Sequence, residues 1–296
     1  PSLLSDAHLV GWILSDCCEH LTRQKWKRHP GAVAAFAECA LNLKSPHLSQ
    51  HVAQVLPAAL LVVDDFQSHH KRTGIRLLSH LMRNCSRAEL GWQGRSEVIY
   101  DAVQHLTYSQ DEEVLKDVYP ALLLSLRVVE KEPSQRHDAI MQRLLYNMQL
   151  ENKLRIRLIY ARNLQSFIEQ MGASLIKHLK HLLPVFYSYL EVNDGPKEEC
   201  RLSILAAFET TLKVAWMRIP AHSDEVLKSL VKLILEISLD VGPTPEEVKA
   251  LVVEKCVQNL VLLKRLKTKD VEEKILALEK VNSVCSEAFS RVLSEA

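Results

Sequence analysis

Histidines three or four residues apart are the first residues in this chain whose types and spacing suit chemistry. His47 and His51, and likewise His178 and His181, would place two imidazoles on one helix face, as a zinc site requires. The neighbours His69 and His70, and the vicinal Cys17-Cys18 beside His20, are further metal candidates. No spacing supplies a third and fourth ligand. The expectation is therefore structural cysteines and solvated or partly buried histidines, with no metal and no cofactor. Asp64-Asp65 is a carboxylate pair of the kind acid–base chemistry uses. The same pair suits a helix-ending turn, because Asp accepts local backbone N–H groups and favours the next helix start. The turn reading is preferred, ahead of a binding role and well ahead of catalysis. The sequence has no Gly-rich phosphate loop, no Gly-x-Ser-x-Gly and no His-Glu-x-x-His. It is not expected to be an enzyme.

Two basic clusters remain. Arg23, Lys25, Lys27, Arg28 and His29 surround Trp26, and Lys264, Arg265, Lys267 and Lys269 follow an apolar helix. Basic residues beside an aromatic can hold RNA by stacking and phosphate contact. Both clusters are short, and 37 Lys and Arg against 36 Asp and Glu leave a net charge of +1. A general nucleic-acid binder needs an excess of cations to neutralise phosphates. Solvated faces, or a loop meeting an acidic partner, are the expected roles. Seven cysteines, an odd number without framework spacing, read as reduced and buried thiols of an intracellular protein. No run of eighteen apolar residues exists, so no transmembrane helix and no membrane partner are expected. The chain begins at Pro1 rather than Met, which reads as a processed or shortened form.

The elements that would carry these residues repeat. An apolar helix, a short polar break and a second helix with an early basic residue recur five times, with breaks at Asp65, Ser109, Leu150, Asn193 and Asp240. The spacings are 44, 41, 43 and 47, and the basic residues are Arg76, Lys116, Arg157, Arg201 and Lys249. A period near forty with two helices per unit belongs to HEAT and armadillo arrays, whose units bury their apolar faces only by stacking. The fold class expected is all-α: one HEAT/armadillo-like α-solenoid over 1–296, with about six helix pairs. It comprises an irregular pair within 1–47, regular pairs over 48–266 and a capping helix near 269–293 with Val271, Ile275, Leu278, Val281 and Val284 in register. Pro57, Pro120 and Pro184 fall inside helical patterns and predict bent helices, with three short breaks as the alternative. Asn193-Asp194-Gly195-Pro196 predicts a helix stop followed by Pro at a first helical position, and Thr244-Pro245-Glu246-Glu247 predicts a Thr N-cap with a capping box. The early basic residues, stacked at one position, would pair with Asp of the neighbouring unit as a polar ladder, each exposed pair adding less than about 1 kcal/mol.

Residues 52–84 resemble the core motif of the Tti-two family. The resemblance rests on Val55-Leu56-Pro57, Leu60-Leu61-Val62-Val63-Asp64-Asp65, Lys71 with Gly74, and Leu77-Leu78-x-His80-Leu81. Gly94, Val98-Ile99-Tyr100-Asp101-Ala102-Val103 and Tyr119-Pro120-Ala121-Leu122 continue it. Phe66 departs, standing where the family motif has His. The likeness covers about 25–260 and implies a non-enzymatic scaffold, the second Tel-two-interacting subunit of the TTT co-chaperone complex. It implies assembly with the Tti-one and Tel-two subunits. Through them the family serves maturation of phosphatidylinositol-3-kinase-related kinases by the ninety-kilodalton heat-shock chaperone machinery. It also implies a longer family protein at the N-terminus. The location expected for the chain is cytoplasmic, with the nucleus as a second compartment. Leu56, Pro57, Asp64, Asp65, Lys71, Gly74, Tyr119 and Pro120 are its motif positions, structural or partner-binding. Trp26 and Trp92 are candidate exposed anchors, since aromatics dominate binding hot spots. Trp216, which follows an apolar helix, is expected in the core. The alternative is another HEAT-type binding module, for tubulin or for transport. Tubulin-binding turns carry Lys, Arg and Trp, whereas these turns carry Asp64-Asp65, Asp111 and Asn193-Asp194.

Overall fold

The computed structural model describes residues 7–281 and 285–295, and every described regular element is a helix. They fall into two compact units, Pro1–Glu132 and Pro133–Ala296. In unit 1 the helices are α1 (Ala7–His20), α2 (Pro30–Asn42), α3 (His47–Val63), α4 (Ser68–Asn84), α5 (Arg87–Gly91), α6 (Arg95–His105) and α7 (Glu112–Val129). Short 3-10 turns at Trp26–Arg28, Trp92–Gly94 and Leu106–Tyr108 join them. α3 packs along α4, α6 along α7, and α4 against α7, so the second helix of one pair meets the second helix of the next. That is how two amphipathic hairpins share one core. α5 was not anticipated. It is built by a capping box in which Ser86 accepts from the Glu89 N–H and Glu89 accepts from the Ser86 N–H.

Unit 2 repeats the arrangement with α8 (Gln135–Leu150), α9 (Leu154–Met171), α10 (Leu179–Leu190), α11 (Glu199–Val214), α12 (Ser223–Leu239) and α13 (Glu246–Leu266). Its second helices α9, α11 and α13 stack in a row. The segment 269–293, expected as one helix, is two: α14 (Thr268–Val281) and α15 (Ser286–Ser294). Val271 and Ile275 are fully buried, while Val284 lies outside the described residues. α15 packs on α13 and ties its C-terminal carbonyls to it. The Lys264 ammonium, 7% exposed, donates to the carbonyls of Val292 (2.7 Å), Leu293 (3.2 Å) and Glu295 (2.5 Å). A cation at a helix C-terminus satisfies orphan carbonyls and opposes the negative end of the dipole. The second basic cluster is thus no plain solvated face.

Pro57, Pro120 and Pro184 all lie inside continuous helices, α3, α7 and α10. Two predicted helix starts differ. α11 begins at Glu199, three residues beyond Pro196, because Glu198 turns left-handed (φ 48°) and the Asp194 carboxylate takes the Cys200 and Arg201 N–H groups. α13 is capped by Pro245 with no side-chain bond from Thr244. Lys249 fastens that corner instead, donating to the Asp240 carbonyl at 2.6 Å.

Candidate functional site

The family-like motif gathers around one buried carboxylate. α3 ends at Val63, and the turn that follows carries Asp64 outward and Asp65 inward, the latter only 6% exposed. Asp65 Oδ1 accepts from Lys27 Nζ at 2.7 Å and Oδ2 accepts from His70 Nδ1, also at 2.7 Å. Burial pushes the Asp65 carboxyl upward, but the Lys27 and His70 donors outweigh it and hold the group down at about 2. Trp26, expected as an exposed anchor, is 3% exposed and sits edge-on to the His70 ring at 4.9 Å. A Trp beside four or five cations in a loop reads as surface, yet its ring is the plug that seats the loop. Lys27 leans over the Phe66 ring at 4.9 Å, and Phe66 itself is 76% exposed. The Arg23–His29 loop is therefore held in place at the surface by one buried ring and by an exposed lysine paired with a buried carboxylate.

The remaining motif positions divide by role. Leu56 and Tyr119 are core residues of α3 and α7, whereas Pro57, Asp64 and Pro120 are exposed and Lys71 is half-buried. Gly74 is a contact point between α3 and α4. A Cβ there would lie 2.5 Å from Val63 Cβ and 2.6 Å from the Val63 nitrogen, closer than real side chains pack. Pro57 and Asp64 line an open groove with Arg23, Leu60, Leu61 and His105. Trp92 is exposed as expected, and Trp216 is exposed too, because α11 stops at Val214 and the buried Ala215 turns the next residue outward. One histidine of each spaced pair has a local partner: His178 meets Asp138 at 2.8 Å and His51 meets Gln54 at 2.9 Å. Among the described residues no three His, Cys, Asp or Glu converge as metal ligands would. No described helix is long and apolar enough to cross a membrane.

In unit 2 the early basic residues do not pair with an Asp of the neighbouring unit as expected; they cap backbone carbonyls, Arg157 and Arg201 from buried positions. Arg157 donates to the Glu151 and Ser188 carbonyls at 3.4 and 3.2 Å, with its guanidinium 3.7 Å from the Tyr189 ring centroid. Arg201, fully buried, donates to the Leu190 carbonyl at 2.8 Å and to the Glu236 carboxylate. With Lys249 on Asp240, each cation closes the C-terminal carbonyls of the first helix in its own pair, and the two arginines reach the next pair as well. Arg76 is exposed, and Lys116 pairs with Glu112 and Glu113 of its own helix. The cross-tie in unit 1 comes instead from Arg72 to Asp117 at 2.8 Å and Glu113 at 2.9 Å. The missed signal was the company each residue keeps. Arg201 precedes Ile204, Leu205 and Phe208 at three, four and seven residues, an apolar stripe, whereas Arg76 precedes Ser79, His80 and Arg83.

The sequence model of the Tti2 family matches residues 16–197, which hold the whole Asp65 cluster. The chain belongs to the Tti2 family. It is 34% identical to the human TELO2-interacting protein 2 over 254 residues, covering 83% of this chain and 50% of that protein. The rat TELO2-interacting protein 2 is also 34% identical, over 82% of this chain and 50% of the relative. An uncharacterized protein of Arabidopsis thaliana is 27% identical over 67% of this chain and 45% of its own length. The chain thus spans about half the length of the curated relatives it matches. Among solved structures, the crystal structure of Kap121p superposes with a TM-score of 0.61 at 15% identity, covering 99% of this chain and 30% of that one. That likeness identifies the fold as a helical array of HEAT/armadillo type. For this family member, the Asp65 cluster and Gly74 explain what the motif does locally: they set a basic loop and close one hairpin.

Proposed function

We propose that the chain is a non-enzymatic adaptor that binds a Tel-two subunit within a TTT-like co-chaperone assembly, together with a Tti-one subunit, and supports maturation of phosphatidylinositol-3-kinase-related kinases. The observation that carries the reading is the family match over 16–197, whose named mammalian relatives are TELO2-interacting proteins. The geometry agrees with an adaptor. Stacked hairpins present long edges for extended contact, and the polar clusters are ion pairs and helix caps rather than groups left poised for turnover. The likeness to Kap121p concerns the fold and gives no support to a transport role. We place the activity in the cytoplasm, with the nucleus as a second compartment. Recombinant chain is expected to co-purify with Tel-two and Tti-one subunits from a mixture at micromolar concentration. Failure to retain either subunit would overturn the reading. In cells, depletion is expected to lower the steady-state level of the kinase clients.

A further inference from the structure

An open groove of about 540 Å³ lies in unit 1 between the C-terminal half of α3 and the end of α6. Leu60, Leu61 and Leu106 give it an apolar lining, and Arg23, Asp64 and His105 a polar one. Two exposed aromatics stand beside it in the sequence. Phe66 follows Asp64 by two residues, and Tyr108, 64% exposed, sets its ring edge-on to His105 at 6.1 Å. Exposed aromatics are the residue type enriched in binding hot spots.

Charge selects the occupant. The loop next to the groove exposes Arg23, Lys25 and Arg28, which have no ion-pair partner among the described residues. That loop is fixed by buried Trp26 and by the pairing of Lys27 with Asp65 (2.7 Å), so its backbone presents the three cations from one place. A positioned charge steers and orients a partner at lower entropic cost than a mobile one. We infer that this groove takes an acidic amphipathic helical segment of a protein partner. Its apolar side chains would enter over Leu60, Leu61 and Leu106, and its carboxylates would meet Arg23, Lys25 and Arg28. A nucleic acid suits the site less well, because it has no aliphatic side chains to cover Leu60, Leu61 and Leu106. The inference deepens the adaptor reading by naming the surface and the chemistry of what it holds.

The test uses the full chain and a labelled synthetic amphipathic helix of about five turns, with Leu on one face and Glu on the other. The Glu peptide is expected to bind and to weaken with added salt, and to lose ~tenfold or more in affinity on joint Arg23→Glu, Lys25→Glu and Arg28→Glu substitution. Leu61→Glu is expected to do the same. The charge reversals touch only exposed side chains, so they keep the test valid if Leu61→Glu unfolds the hairpin. Lys228→Glu with Lys232→Glu on α12 should leave binding unchanged. Absence of Glu-peptide binding, equal binding of a Lys-for-Glu peptide, or tighter binding of single-stranded RNA to the same loop would overturn the inference. Peptide binding without co-purification of the Tel-two and Tti-one subunits would instead sink the adaptor reading and leave this surface standing.

Discussion

At the scale of single residues, the chain spends buried charge on position. Asp65 shows it most clearly, since its two oxygens hold a loop cation and a histidine. Asp65→Asn removes the charge and turns one of the two acceptors into a donor, so Lys27 or His70 loses its partner, and the change is expected to cost about 1–3 kcal/mol near neutral pH, read by urea unfolding. The pH dependence has a definite sign. A carboxyl held at about 2, against an ordinary 3.8, binds its proton less tightly when folded. Its contribution is fully present above the ordinary value and is lost as pH falls from near 4 through about 2. The wild-type chain should lose this increment in that window, and Asp65→Asn should not. Glu198 has the opposite sign. It is fully buried beside Asp194 and Arg201, and burial raises its carboxyl, with Arg201 opposing and Asp194 reinforcing. Its contribution is present in acid and is lost as pH rises through the raised value. Thermal melts of Glu198→Gln should therefore decline less between the ordinary carboxylate range and mild alkali than those of the wild type.

At the scale of elements, two devices join helices: a glycine contact and a buried cation. The α3–α4 hairpin closes on Gly74, where any Cβ meets Val63. Gly74→Ala is expected to destabilise by about 2 kcal/mol or more, because the backbone itself must move, and chemical denaturation measures it. Removing one partner from a buried ionic network strands the others. Arg201→Ala should cost about 3–5 kcal/mol, whereas exposed Arg76→Ala should stay within about 0.5. Equal losses for the two would show that burial does not separate them. Helix pairing was plain in the sequence, because apolar periodicity reports each helix's buried face directly. Thr244 and Glu247 have the right types for a capping box but do not form one, because the path of the preceding turn decides whether a side chain can reach back. The tail 269–293 was read as one helix because its apolar register runs through the break before Ser286.

At the scale of the molecule, a stacked array distributes stability in neighbour-to-neighbour steps. Gly74→Ala is expected to speed amide exchange in α3, α4 and α7 while leaving α11 and α13 unchanged, by hydrogen exchange with mass spectrometry. Chelation is expected to leave the melting temperature of the full chain unaltered, since His178, His70 and His51 are engaged by Asp138, Asp65 and Gln54 and no three ligands converge among the described residues. Stoichiometric zinc in the purified protein would contradict this. The sequence by itself determined the class of fold, the pairing of helices among the described residues and the family, because each depends on local periodicity or on a short motif read in order. Only the tertiary structure decided that Trp26 is a plug and Trp216 is exposed, and that the recurring cations are buried caps in one unit and surface charges in the other. Those outcomes depend on which neighbouring helix covers a given face, and that is a property of packing between segments some forty residues apart, invisible to any single stretch of chain.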